Sequence, residues 1–301
     1  MKKSMLLLTL ALLLGVLSAC GNAGSTNSGT DHADHDSHGA AHDAVQGEAA
    51  PADEDAHADD HGDHGGAAAA EPGDLKATFA FANGTARANE ETELTIEIAN
   101  ERGERVTDFE VSHEKLLHLI IVDHDLNYFS HIHPDFQEDG TFRIATTFPA
   151  GGEYKLFADV VPTGGASATL SEWVKVEGPE GEHADVAADS TLLKAADGKE
   201  VELSVSSVKA NEDVTLTFDI RDAATKEGIN DLQPYLGAVG HVVILSADAE
   251  RYIHVHPLDE SSSGPKAQFA TAFPEPGTYK IWGQFQHNGE VFTVPYVIDV
   301  K

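Results

Sequence analysis

The strongest constraint on this chain is that its C-terminal part is written twice. Residues 75 to 301 repeat with an offset of 122 to 125 residues. Leu94-Thr95-Ile96-Glu97-Ile98 answers to Leu216-Thr217-Phe218-Asp219-Ile220, and Val106-Thr107-Asp108-Phe109 to Ile229-Asn230-Asp231-Leu232. Phe148-Pro149-Ala150-Gly151-Gly152-Glu153-Tyr154-Lys155 answers to Phe273-Pro274-Glu275-Pro276-Gly277-Thr278-Tyr279-Lys280. Each copy is about a hundred residues long, enough for one hydrophobic core. Whatever one copy folds into, the other must fold into as well.

Leu94, Ile96 and Ile98, like Leu216, Phe218 and Ile220, alternate with polar residues at period two, which is the pattern of half-buried strands. Gly, Pro, Asn and Asp punctuate these segments, and no window sustains an amphipathic helix of four turns. In the Phe-Pro-x-x-Gly-x-Tyr element, Pro and Gly set a tight turn. The Tyr then enters the next strand with a hydroxyl free to bond back to the backbone, as in the tyrosine corner of immunoglobulin-like sandwiches. The fold class expected is all-β: two tandem antiparallel sandwiches of seven to eight strands, over 75–178 and 190–301. A Gly/Pro/acid-rich linker over 179–189 joins them, open to protease near Gly178 to Glu182.

The strand pattern and this turn resemble the extracytoplasmic immunoglobulin-like or cupredoxin-like domains of bacterial lipoproteins, the YtkA-like group among them. The resemblance implies a sandwich at the cell surface, with metal handling among its relatives. The chain departs from true cupredoxins in one respect. A blue-copper site needs a Cys thiolate, and the chain's single Cys is Cys20, outside the repeats.

The N-terminus supports export. Lys2 and Lys3 precede an apolar run from Met5 to Leu17 that is too short to span a membrane, and the run ends in Leu17-Ser18-Ala19-Cys20-Gly21. This resembles a lipobox, which implies a signal peptide over 1–19 and a lipidated Cys20 that anchors the chain on the extracytoplasmic face of a membrane. Residues 20–74 then form a His/Asp/Ala-rich stretch without Lys or Arg until Leu75, expected to be a disordered tether because it cannot bury enough surface to offset ordering. Its His32, His35, His38, His42, His57, His61 and His64, set among carboxylates, are loose ligands for divalent transition metals.

With 51 acidic residues against 19 Lys plus Arg, and a formal charge of -32, the chain is no charge-driven binder of nucleic acid. A lone Cys excludes an internal disulfide and any multi-thiolate metal site. Both methionines, Met1 and Met5, fall within the export signal, which excludes Met-rich copper(I) sites from the processed chain.

The chemical signal is histidine. His118, His131 and His133 recur as His241, His254 and His256, with twelve residues between the first and second of each set. Strands over Leu116–Val122 and Tyr128–His133, joined by an even-numbered turn, place His118 opposite His131, and the His-x-His puts a third imidazole on the same face. The second copy predicts the same for His241 and His254. Each repeat is thus expected to hold one Cu(II) or Zn(II) through three imidazoles, with affinity falling through about pH 6 as they protonate. Asp159 and Gln284 fall on a later strand, on the other face in this reading, and no fourth ligand can be chosen.

These features favour a lipid-anchored protein that captures, buffers or delivers metal, with a membrane metalloenzyme or transporter as partner, and no catalysis. Two alternatives differ in kind. One is a structural surface protein whose histidines only pack. The other is a metal-dependent enzyme of superoxide-dismutase type, for which no bridging His, zinc-binding Asp and disulfide can be placed together.

Overall fold

The structure is a computed structural model and describes residues 75–301. Cys20 and the seven tether histidines lie outside the described residues. The first repeat comprises β1 (Leu75–Phe81), β2 (Ala86–Arg87), β3 (Glu91–Asn100), β4 (Phe109–Glu110), β5 (Leu117–Asp123), β6 (Phe129–Ile132), β7 (Asp135–Phe136), β8 (Phe142–Thr147), β9 (Gly152–Pro162) and β10 (Ala168–Glu177). The second comprises β11 (Leu193–Ala196), β12 (Lys199–Val205), β13 (Asp213–Asp222), β14 (His241–Ser246), β15 (Tyr252–Ile253), β16 (His256–Pro257), β17 (Lys266–Ala272), β18 (Gly277–His287) and β19 (Glu290–Val300).

Each repeat is an immunoglobulin-like β-sandwich. In the first, β1-β3-β8-β7 faces β2-β10-β9-β5-β6, with β4 added on β9; in the second, β11-β12-β13-β17-β16 faces β15-β14-β18-β19. Neighbouring strands are antiparallel apart from β2 beside β10. The period-two residues behave as expected. Leu94, Ile96 and Ile98 of β3 meet Leu119 and Ile121 of β5 in one core. Leu216, Phe218 and Ile220 of β13 meet Ile244 and Ile281 in the other. Both tyrosine corners are made: the Tyr154 hydroxyl donates to the Ala150 carbonyl at 3.0 Å, and Tyr279 to the Glu275 carbonyl at 2.9 Å.

A third core lies between the sandwiches. Ile120, Val122, Leu126 and Phe157 from the first repeat pack on Val243, Leu245, Ala249 and Trp282 from the second, all nearly inaccessible to solvent. The cause is legible in β5, where every residue from Leu117 to Val122 is buried. Leu119 and Ile121 point into their own sandwich while Ile120 and Val122 point out of it, so both faces of the strand are covered, as an uninterrupted apolar run requires. β14 does the same with Ile244 inward and Val243 and Leu245 outward.

The interface has pseudo-twofold symmetry that follows the repeat. Phe129 stacks on Trp282 with centroids 4.7 Å apart, and their counterparts Tyr252 and Phe157 meet at 5.7 Å. Such a contact is isologous in kind, the same patch used by both copies. The connecting segment is tied down as well. Gly151 donates to the Pro179 carbonyl, His183 bonds Asp125, Asp189 exchanges bonds with the Val297 backbone, and Val186 packs on the third core. It is therefore not the free hinge that its composition suggests.

Candidate functional site

The first set of histidines does come together, by a register different from the expected one. β5 and β6 pair Ile120 with His131 and Leu119 with Ile132, so His131 sits opposite Ile120, two residues beyond His118. The shift is even and leaves His118 and His131 on one face. One ligand nitrogen each from His118, His131 and His133 lie within 4.8 Å of one another, the one such group of His, Cys, Asp and Glu among the described residues. That face meets the second repeat: His118 is buried there, and His131 and His133 are half-buried.

The second set is not brought together, which corrects the expectation of two equivalent sites. β15 pairs with β14 for only two residues, Tyr252 and Ile253, and the chain then crosses to the opposite sheet, where His256 pairs with Ala270 of β17. In the first repeat the crossing comes after His133, and β7 begins at Asp135. His256 thus leaves the sheet that carries His241. His254 turns instead to the first repeat, its Nε2 lying 3.2 Å from Thr169 Oγ1, and Thr169 donates to Asp159 at 3.1 Å.

His241 joins the first cluster. Its ring stacks on His118 at 5.6 Å and 6° and lies 4.8 Å from the His131 ring. His113 closes the group, 5.6 Å from His241 and 6.1 Å from His118. His118 and His241, equivalent positions in the repeat, thus meet at the pseudo-twofold. Gly240 lets the chain just before His241 lie tightly on β18, since a Cβ there would fall 2.5 Å from the Phe285 ring and 2.7 Å from the Gln284 carbonyl.

Register also corrects the placing of Asp159 and Gln284. Asp159 pairs directly with His118, and Gln284 with His241, so both stand on the faces of their histidines. Gln284 Oε1 accepts from His131 Nδ1 at 2.7 Å, while Gln284 Nε2 donates to Thr293 Oγ1.

These bonds bear on the tautomers. A carbonyl can only accept, so His118 carries its proton on Nε2, donated to the Ser112 carbonyl at 2.9 Å. With Gln284 presenting Oε1, His131 carries its proton on Nδ1 and its Nε2 faces His118 Nδ1 across 3.1 Å. With the amide turned over, His131 Nε2–H would instead donate to His118, because the Thr293 hydroxyl serves either orientation. Two ligands of one Zn(II) at about 2.0–2.1 Å stand roughly 3 Å apart, and imidazoles that hold metal commonly give their other N–H to a carbonyl in this way.

Ser112 is held by a strained turn. Ser112 and Lys115 exchange backbone hydrogen bonds around His113 and Glu114, whose φ angles are 46° and 67°. A turn with both central residues left-handed favours Asn-Gly or Gly, and His-Glu fills it at a cost.

Burial lowers the imidazole pKa of four members. Desolvation, opposed by the Ser112 bond, lowers His118; desolvation and then the neighbouring imidazoles take His131 to about 3, His133 to about 4 and His241 well below the ordinary imidazole range. His118, His131 and His133 are all shifted down, so protonation competes with coordination at a lower pH than an ordinary imidazole would allow, which moves the expected acid limit down. Nε2 of His133 and of His241 are buried without a hydrogen-bond partner, a deficit of about 1–3 kcal/mol each in a closed site.

Sequence reasoning missed His113, His241 and Gln284 as members of one group. The available signal was the apolar run Leu119–Val122 directly after His118, which announces a strand covered on both faces.

Fold and site together define a tandem immunoglobulin-like protein with an imidazole cluster buried between its sandwiches. The chain belongs to the family described as "Domain of unknown function (DUF8832)", whose domain matches residues 72–178 and again 194–301. No curated protein matches it. Among solved structures it is similar to the Escherichia coli adhesin FdeC (16% identity, 75% of this chain and 64% of that one, TM-score 0.25). It is also similar to the titin Ig tandem A164-A165 (10%, 76% and 96%, TM-score 0.19). A third likeness is to carbohydrate-binding modules of the β-sandwich superfamily (13%, 77% and 100%, TM-score 0.23). The chain spans 64% of the length of the adhesin structure it matches.

Proposed function

We propose that this chain is an exported, membrane-anchored metal-binding protein that holds Cu(II) or Zn(II) at His118, His131 and His133, for capture, buffering or delivery to a membrane metalloenzyme or transporter. One observation carries the reading: His118, His131 and His133 each bring a ring nitrogen within 4.8 Å of the others, with His118 Nδ1 and His131 Nε2 only 3.1 Å apart, where burial lowers the imidazole pKa. Neutral imidazoles so gathered offer lone pairs to a metal ion, which supplies the positive charge that a proton is disfavoured from supplying. Five imidazoles and no thiolate suit Zn(II) or Cu(II). The lipobox-like Leu17-Ser18-Ala19-Cys20 supports anchoring, and the tether histidines would collect ions at low affinity near the membrane. The finer likeness to YtkA-like lipoprotein domains rests on the strand pattern and tyrosine turn.

The test is metal analysis of the full chain with the seven tether histidines replaced by Ala. It is expected to retain tightly bound Zn(II) or Cu(II) through dialysis, still at pH 5.5, and to lose it in His118→Ala/His131→Ala. If the tether-substituted chain retains no metal, the histidines serve packing and the surface-protein reading takes its place.

A further inference from the structure

We infer that the second repeat supplies a ligand to the site in the first: His241 completes the set of His118, His131 and His133, so that one ion is shared across the two sandwiches. The inference rests on the metal-binding reading and goes beyond it in naming the fourth ligand and the stoichiometry. Nothing in the second repeat's own sheet uses the His241 imidazole. Its Nε2 is buried and unpartnered, as is that of His133, and both belong to the group of rings around His118 and His131. His241 is outside the 4.8 Å group, with its ring centroid 5.6 Å from that of His118 and 4.8 Å from that of His131, so loading draws β14 toward β5 and β6.

His113 is the competing candidate. It lies on the Ser112–Lys115 turn, with its ring 6.1 Å from His118. His241 is nearer to both central rings, at 5.6 and 4.8 Å. His254 is engaged with Thr169, and His256 has left the sheet. No second trio remains to hold a second ion, and the expected capacity of the folded repeats is one per chain.

Sharing has a mechanical consequence. A ligand from each sandwich makes metal binding and docking of the repeats one equilibrium, so an ion that binds only the docked state stabilises that state by mass action. Metal should slow amide exchange in β14 as well as in β5 and β6.

The test uses Cu(II) on the full chain with its tether histidines replaced by Ala, read by electron paramagnetic resonance. One equivalent with hyperfine coupling to four nitrogens is expected. In His241→Gln the count should fall to three, and affinity should drop by more than the 10- to 100-fold expected for the supporting change Gln284→Ala. His113→Ala should leave the count at four. If copper binds with a nitrogen count and affinity indifferent to His241→Gln, or at two equivalents per chain, the shared site is overturned while metal binding stands. If no copper is retained, the metal-binding reading falls with it. The count on the parent chain needs no variant, so a poorly folding His241→Gln does not decide the matter.

Discussion

The two copies of His-x-His-Pro differ in where the chain leaves its sheet. β6 runs for four residues and delivers His131 and His133 beside His118. β15 runs for two, and the crossing to β17 carries His256 away from His241. The turns ahead of the strands differ in the same sense. Leu236 and Gly237 occupy the second copy's left-handed turn, with the Gly where such a turn favours it. The first copy holds His113 and Glu114 there, against conformational preference, and its Ser112 carbonyl orients His118. Identical spacing in a duplicated sequence therefore does not mean duplicated geometry: the first copy gathers its three imidazoles, while the second disperses its own and lends His241 to the first copy's group.

The largest effect should come from breaking the cover. Trp282→Ala removes the ring stacked on Phe129 and is expected to cost about 3–5 kcal/mol in urea unfolding. Phe157→Ala breaks the looser counterpart against Tyr252 and should cost less. Because the repeats share a core, the parent should unfold in one transition. Two well-separated transitions would show that the third core does not couple them.

Next in size is the contrast between equivalent histidines. His131→Ala should weaken Zn(II) binding by more than about 100-fold, whereas His254→Ala should change it by less than about threefold. Isothermal titration of the tether-substituted chain distinguishes them, and equal losses would restore two equivalent sites.

The pH dependence should follow the first copy. The buried imidazoles have folded values near 3 and 4 for His131 and His133, below the unfolded value of about 6.5, so the unfolded chain takes up protons first. Their contribution is present above about pH 6.5 and is lost as pH falls toward 4 and then 3. Metal-free chemical denaturation across that window should show this slope, flattened in His131→Gln.

The smallest effect should be symmetric. Tyr154→Phe and Tyr279→Phe each remove one hydroxyl bond and should each cost about 1 kcal/mol. A large inequality would mean that the two corners carry different loads. The connecting segment sharpens the same point: limited proteolysis should spare Gly178 to Glu182 while the repeats stay docked, since its backbone is bonded to Gly151.

Much of this fold could be read from residues. Alternation at Leu94, Ile96 and Ile98, the tyrosine turns and the internal repeat led to tandem sandwiches because each is a local pattern with a local cause. Spacing also sufficed to put His118, His131 and His133 on one face, because an even register shift preserves the face. The partner of His131, Ile120 rather than His118, depended on the geometry of the turn over Asp123 to Tyr128, where Asp123 accepts from the Tyr128 N–H. The crossing before His256 depends on Ile253 being drawn into the second core, a tertiary event. The covering of both faces of β5 was written in Leu119–Val122 but needs its partner surface, Val243, Leu245 and Trp282, to be understood.

One imidazole cluster spans the repeats, and the second copy's own triplet is dispersed. Imidazole 15N spectra of the tether-substituted chain during Zn(II) titration separate a shared site from two equivalent ones. At one equivalent the nitrogens of His118, His131, His133 and His241 are expected to shift together and saturate, with His254 and His256 unmoved. Saturation at two equivalents, with His241, His254 and His256 shifting as a separate set, would contradict the shared site.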